Sequence, residues 1–226
     1  MARRRLRTAV GFNCHVGRSP AKVVTGLRRL IADTDADVIA LQEARGYVTA
    51  LKLAFPAWKV YAKSGWPDSD HCPVMVRRNL PRGRRYGHGW GTVRIENGWT
   101  YEGTPKPGRT WTWVKVDGTF VLSLHRVRGG HGGNSVSYLE EAHALREWFD
   151  DHDGPMVAIG DANEGPVDTR PNTMLQIARK VGGRLIFDRD DRGIDYALAR
   201  GLTGHLERTD SYGSNHDAAV LRIKEK

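Results

Sequence analysis

Asp117-Gly118 stands between two runs rich in β-branched and aromatic residues, Trp111-Thr112-Trp113-Val114-Lys115-Val116 and Thr119-Phe120-Val121-Leu122-Ser123-Leu124. Asp-Gly accepts the positive φ that a two-residue turn demands, so the segment reads as a β-hairpin and imposes antiparallel pairing on its sheet. The second strand ends on His125, followed by Arg126, Arg128 and the glycine-rich run Gly129 to Gly133. From Ser135 to Phe149 the apolar residues Val136, Leu139, Ala142, Leu145 and Phe149 recur at helical spacing. Met156-Val157-Ala158-Ile159 then has the length of a buried strand; Gly160 permits a tight turn, and Asp161 and Asn163 follow two residues apart.

The first half has the same plan. Arg5 to Asn13 reads as a strand with Leu6, Ala9, Val10 and Phe12 apolar, and Ser19-Pro20 is a cap and first-turn pair. Val23, Val24, Leu27, Leu30 and Ile31 give the helix its apolar stripe, Asp33 to Asp37 breaks it, and Asp37 to Leu41 is a strand running into Gln42-Glu43. Glu43 is equally a carboxylate at a sheet rim or the opening glutamate of a helix from Tyr47 to Phe55. Trp58 to Ala62 and Cys72 to Arg77 read as strands. Between Asn79 and Thr110 many glycines are interleaved with Arg82, Arg84, Arg85, Arg94, Lys106 and Arg109 and with Tyr86, Trp90, Trp99 and Tyr101. Such a loop suits phosphate contact with base or sugar stacking; it reads equally as a hairpin whose aromatics plug a sheet edge. Asn172 to Val181 is a helix, and Arg184 to Phe187, Ile194 to Ala199 and Asp217 to Ile223 are short strands. Asp195 lies in an apolar run, where a carboxylate needs a partner, and His216 comes just before the last strand. Strand, helix and strand recur in both halves, which points to one domain over 1–226: an α/β sandwich of two packed sheets, helices outside and loops gathered at one end.

With 35 basic against 26 acidic residues and a net charge of +9, the chain favours a polyanionic partner. Phospholipid headgroups satisfy the same sign of charge, and the charge also serves solubility. Cys14 and Cys72 have no spacing that suggests a disulfide framework or a zinc knuckle. Neither a secretory leader nor a membrane-spanning run is present, so the expectation is a soluble cytoplasmic protein without stable membrane association.

Asn13, Glu43, His125, Asp161, Asn163, Asp195 and His216 all fall at or near strand ends, Asp161 and Asn163 at the same one. On the ordered pieces Gly11-Phe12-Asn13, Ala40-Leu41-Gln42-Glu43, Leu122-Ser123-Leu124-His125, Ile159-Gly160-Asp161-Ala162-Asn163, Gly193-Ile194-Asp195-Tyr196 and Ser214-Asn215-His216, the chain resembles the endonuclease/exonuclease/phosphatase family, which includes deoxyribonuclease I. The resemblance implies a four-layer α/β sandwich with two mostly antiparallel sheets, and metal-dependent hydrolysis of phosphate esters. It assigns Glu43 to a divalent ion, Mg²⁺ or Mn²⁺, with Asn13 in support. By the same resemblance His216 would activate water or bind the scissile phosphate, oriented by Asp195, while Asp161 would position the water and Asn163 hold a phosphate oxygen. His125 resembles in position the histidine that protonates the leaving group in the deoxyribonuclease I and sphingomyelinase branches, and Asp70 stands where its carboxylate partner is expected. The family usually ends in Ser-Asp-His, whereas this chain has Asn215, an oxygen ligand without the charge; one tightly held ion at Glu43 is therefore expected.

The leading expectation is a nuclease cutting DNA or RNA, with Arg126, Arg128, Arg109 and Trp90 as substrate contacts. A lipid or small-molecule phosphodiesterase or phosphatase of the same family remains open. So does a catalytically weak nucleic-acid-binding relative.

Overall fold

The computed structural model describes residues 5–62, 72–80, 88–92, 99–101, 104–106, 110–126, 135–163, 173–188 and 193–224. The chain begins with strand β1 (Thr8–Asn13), helix α1 (Pro20–Thr34) and strand β2 (Val38–Gln42). Both strands are buried throughout, as their nearly continuous apolar sequence requires. They run parallel, with Asn13 opposite Gln42, so both chains leave the sheet at the same edge. Ser19 caps α1 by accepting from the Lys22 N–H, and Pro20 sits in the first turn, where its missing donor costs nothing. Asp35, in the left-handed region at φ 48°, ends the helix.

Helix α2 (Val48–Ala54) and strands β3 (Trp58–Tyr61) and β4 (Val74–Arg77) follow. Strands β5 (His88–Thr92), β6 (Trp99–Tyr101) and β7 (Thr104–Lys106) come next, then the hairpin β8 (Thr110–Val116) and β9 (Thr119–His125). The hairpin turns on Asp117 at φ 49° and Gly118 at φ 78°, the positive pair its sequence demands. Helix α3 (Ser135–Asp150), β10 (Met156–Asp161), α4 (Thr173–Lys180), β11 (Arg184–Ile186), β12 (Asp195–Arg200), β13 (Thr203–Arg208) and β14 (Ala219–Lys224) complete the chain.

The first sheet has the order β13-β14-β1-β2-β4-β3 and the second β11-β12-β10-β9-β8-β5; β6 and β7 form a separate pair. Each large sheet has one parallel pair at its centre, β1 with β2 and β9 with β10, and its other pairs are antiparallel. A helix, α1 or α3, connects each parallel pair. One core cluster joins the facing sides of the sheets to α3 and α4 through Leu145, Phe149, Met174 and Ile177. The other packs α1 and α2, through Leu27, Leu30 and Leu51, on the outer side of the first sheet. Together they make the α/β/β/α sandwich.

Of the two readings open for residues 79–110, the described part favours strands at a sheet edge: β5 pairs with β8 at the edge of the second sheet, and β6 with β7. Strand β13 pairs along β14, in a stretch the sequence reading left unassigned.

The sheets come closest beneath the rim where the parallel strands end. A Cβ on Gly11 would lie 2.9 Å from the Gly160 Cα, so neither position has room for a side chain. Beside them Gln42 Nε2 donates to Ser123 Oγ (3.1 Å) and to Ala40 O (3.0 Å), while Ser123 Oγ donates to Leu41 O (2.7 Å). These buried bonds join β2 to β9 and fix the spacing of the two strand ends. Among the described residues no helix is long and apolar enough to cross a membrane. Cys14 and Cys72 are buried and form no disulfide.

Candidate active site

The parallel pairs deliver their polar ends to one place. β1 ends on Asn13 and β2 leads directly into Glu43; β9 ends on His125 and β10 on Asp161. Register places Asp161 opposite both His125 and Asp195, the first residue of β12. His216 enters from the loop between β13 and β14.

Glu43 stands at φ 53°, an uncommon conformation for glutamate. Its Oε1 accepts from Asn13 Nδ2 (3.2 Å) and its Oε2 from the Val16 N–H (2.8 Å). Asn13 Oδ1 in turn accepts from the His15 N–H (2.9 Å). Asn13 therefore acts as a bracket that sets the carboxylate's direction. His125, only 3% exposed, has its Nε2 4.0 Å from Glu43 Oε1 and 3.7 Å from Asp161 Oδ2. It stands between the carboxylates of the two sheets.

His216 Nδ1 meets Asp195 Oδ2 at 2.7 Å and lies 4.0 Å from Asp161 Oδ2. The hydrogen bond that His216 donates to Asp195 is the chief cause raising its pKa; burial opposes the rise, and the charges of Asp195, Asp161 and Glu43 add to it. A nitrogen thus held at Nδ1 leaves Nε2 as the working atom. Arg208, absent from the sequence reading, donates through Nη2 to the same Asp195 oxygen at 3.3 Å. No spacing rule predicts it, because it comes from β13, a strand of the other large sheet. Its guanidinium fills the space where a Cβ on Gly193 would stand.

Asn163, at φ 52°, closes a turn in which its N–H donates to Asp161 Oδ1 (2.8 Å). Its Nδ2 donates to Arg126 O (2.7 Å), which leaves a second amide hydrogen for another acceptor. Arg126 departs from expectation. It is 0% exposed, so its guanidinium does not present itself at the surface. Strand alternation explains this: Arg126 continues the face of Leu122 and Leu124, which lies in the core. Its N–H extends the β9–β10 ladder by donating to Asp161 O (3.0 Å).

Asp161, Asp195 and His216 offer ligand atoms that all lie within 4.8 Å of one another, a group able to hold a metal ion. The sequence points instead to one ion at Glu43 supported by Asn13, with Asn215 at a weaker second position. Asn215 is exposed, and its Oδ1 accepts from Ser214 Oγ at 3.4 Å. The donors fit a hard divalent cation, being carboxylate oxygens and one imidazole. Within the compact group Asp195 Oδ2 is engaged by His216 and Arg208, and Asp161 Oδ1 by the Asn163 N–H. Asp70, Arg109 and Arg128 lie outside the described residues, and Trp90 is placed only as a position in β5, opposite Thr112.

Among solved structures, the chain is similar to a 3'-5' exonuclease from Neisseria meningitidis, at 17% identity and a TM-score of 0.67 over 96% of this chain and 100% of that one. It is similar to Danio rerio TDP2 complexed with a single-strand DNA product, at 13% identity and a TM-score of 0.66 over 97% and 99% of the two chains. A mannosyl-6-phosphatase of Bacteroides thetaiotaomicron matches equally well, at 13% identity and a TM-score of 0.66 over 97% and 100%. At these identities the likeness shows the fold. No curated protein matches the sequence. The family model for the Endonuclease/Exonuclease/phosphatase family matches residues 10–216, nearly the whole chain and every strand end described above, and the chain belongs to that family.

Proposed function

We propose that residues 1–226 form a single catalytic domain, a phosphodiesterase that depends on a divalent metal ion and hydrolyses polynucleotides. The observation that carries the reading is the couple of His216 and Asp195 beside Asp161, with His125 between Asp161 and Glu43. Two acid–base groups and hard oxygen donors converge there, which suits water attack on a phosphate ester.

Glu43, bracketed by Asn13, and Asp161 would hold the ion, Mg²⁺ by its preference for oxygen. When bound it would neutralise charge on the phosphate oxygens. Asp161 accepts a hydrogen bond from the attacking water and directs it at phosphorus. His216, raised in pKa by Asp195, takes a proton from that water or hydrogen-bonds the phosphate through Nε2. Asn163 gives its second amide hydrogen to a phosphate oxygen. His125 is placed to protonate the departing oxygen, its charge balanced by Glu43 and Asp161.

The net charge of +9 favours a polynucleotide over a neutral or small substrate. The names of the Neisseria exonuclease and of TDP2 with its DNA product point the same way. The likeness to a mannosyl-6-phosphatase supports a second reading, a small-molecule phosphatase on the same site. Comparing kcat/KM for labelled single-stranded DNA, RNA, a choline phosphodiester and mannose 6-phosphate, under one metal concentration, separates them. A polynucleotide should be preferred by orders of magnitude; preference for the sugar phosphate would replace the first reading with the second.

A further inference from the structure

α1 and the loop that delivers His216 flank an open hollow of about 370 Å³, with Arg18, Lys22, Thr25, Arg29, Tyr212 and Gly213 on its walls. That volume falls in the ordinary range for ligand sites. The wall is well built. Gly26 lets α1 press on the loop, since a Cβ there would stand 2.3 Å from Tyr212 O. Tyr212 is 4% exposed and its hydroxyl meets Thr209 Oγ1 at 3.1 Å. Lys22, Thr25 and Arg29 recur at intervals of three and four residues and so share one face of α1.

The charges on this wall are unequally matched. Arg29 donates to Asp210 Oδ2 at 2.9 Å and covers the Tyr212 ring, so its charge is largely balanced. Asp33 also approaches Tyr212. Arg18, however, donates through Nε to an imidazole nitrogen, His15 Nδ1, at 3.3 Å, and meets no described carboxylate. Lys22 forms no ion pair among the described residues. Two cations with no opposing carboxylate and the hydroxyl of Thr25 therefore surround one hollow, a donor set made for a phosphate group.

We propose that this cavity is a phosphate subsite, which receives a backbone phosphate of the substrate strand some way along from the one hydrolysed; the inference rests on the polynucleotide reading above. Gly213 is close to His216 in the chain, at most about 10 Å away even if fully extended. A strand carries a phosphate every ~3.4 Å along its axis, so one within about three nucleotides of the scissile bond reaches the cavity. The link to the site is also physical: Arg18 touches His15, whose N–H holds Asn13, and Asn13 holds Glu43. Strand placement in the subsite therefore registers the scissile phosphate over the cluster. A single sugar phosphate cannot span both places.

Lys22→Glu reverses one charge, and Thr25→Trp fills the hollow; both residues are exposed on α1 and outside the catalytic cluster. Hydrolysis of a labelled oligonucleotide and of bis(p-nitrophenyl) phosphate is measured over a range of salt. Each variant should raise the oligonucleotide KM about tenfold or more. Lys22→Glu should also lower the slope of log KM against log salt by about one. Turnover of the small diester should stay at the wild-type value. Unchanged oligonucleotide KM in both variants overturns the subsite, as does a parallel loss on the small diester, which would signal a distorted His216 loop. If the wild type cleaves no polynucleotide, the proposed function fails. Fluorescence anisotropy of the labelled oligonucleotide in chelator then still decides the subsite: weaker binding by Lys22→Glu supports it and equal binding overturns it.

Discussion

Asp195→Asn removes one charge at nearly constant shape from the point where two donors converge. His216 Nδ1 and Arg208 Nη2 reach the same Asp195 oxygen at 2.7 and 3.3 Å, and the carboxylate is 3% exposed. A hydrogen bond to a charged group contributes about 1.5–3 kcal/mol and one between neutral groups about 0.5–1.5. Neutralising Asp195 therefore weakens the bond to His216 by about 1–1.5 kcal/mol, close to a tenfold loss in rate. Loss of the correct imidazole tautomer deepens the effect toward the ~10²–10⁴-fold typical of a whole acid–base contribution. The assay is steady-state hydrolysis across pH on the best substrate, with metal constant. We expect kcat to fall at least about tenfold while KM moves little, since Asp195 acts through His216 rather than on the ground-state substrate. Because Asp195 is the main cause of the raised His216 pKa, the pH limb that belongs to His216 should move to lower pH in the variant. A variant within about threefold of wild type, with its limb unmoved, would refute the role given to the pair.

Three other outcomes follow from the same geometry. Gly11→Ala should destabilise by about 1–3 kcal/mol, read in a denaturant titration, because its Cβ meets the Gly160 backbone at 2.9 Å where the sheets touch. Ser123→Ala should cost a similar ~1–3 kcal/mol by stripping Leu41 O of its buried donor, and it should lower activity by loosening β2 against β9. In chelator, the stability difference between wild type and His216→Ala should be largest below about pH 6.5, the ordinary histidine value. It should fade as pH rises through the higher folded-state value, since a pKa raised by folding contributes stability only where the imidazole is charged.

Much of this fold was legible because its central strands are buried on both faces and so read as continuous apolar runs. The hairpin was legible for a separate reason, the demand of Asp117-Gly118 for positive φ. Strand β13 was not: in Thr203–Arg208 only Leu206 is buried, so an edge strand left no alternation to detect. The site was legible as a set of polar strand ends, and the structure brings Asn13, Glu43, His125, Asp161, Asn163, Asp195 and His216 together. What supports them was hidden. The bond between Gln42 and Ser123 joins residues from different sheets, and Arg208 reaches Asp195 from the other large sheet; neither leaves a local pattern. Arg126 misled for the opposite reason: its charge suggested the surface, but its place on the Leu122–Leu124 face of the strand put it in the core.

The central claim is that this cluster hydrolyses phosphodiesters with the help of a divalent ion. Its most direct test is purified protein with supercoiled plasmid and labelled single-stranded RNA, in Mg²⁺, in Mn²⁺ and in chelator, beside His216→Ala. The account predicts cleavage of at least one polynucleotide with metal, none in chelator, and a loss of about 10²-fold or more in the variant. Cleavage that persists in chelator, or that His216→Ala performs as well as wild type, would contradict it.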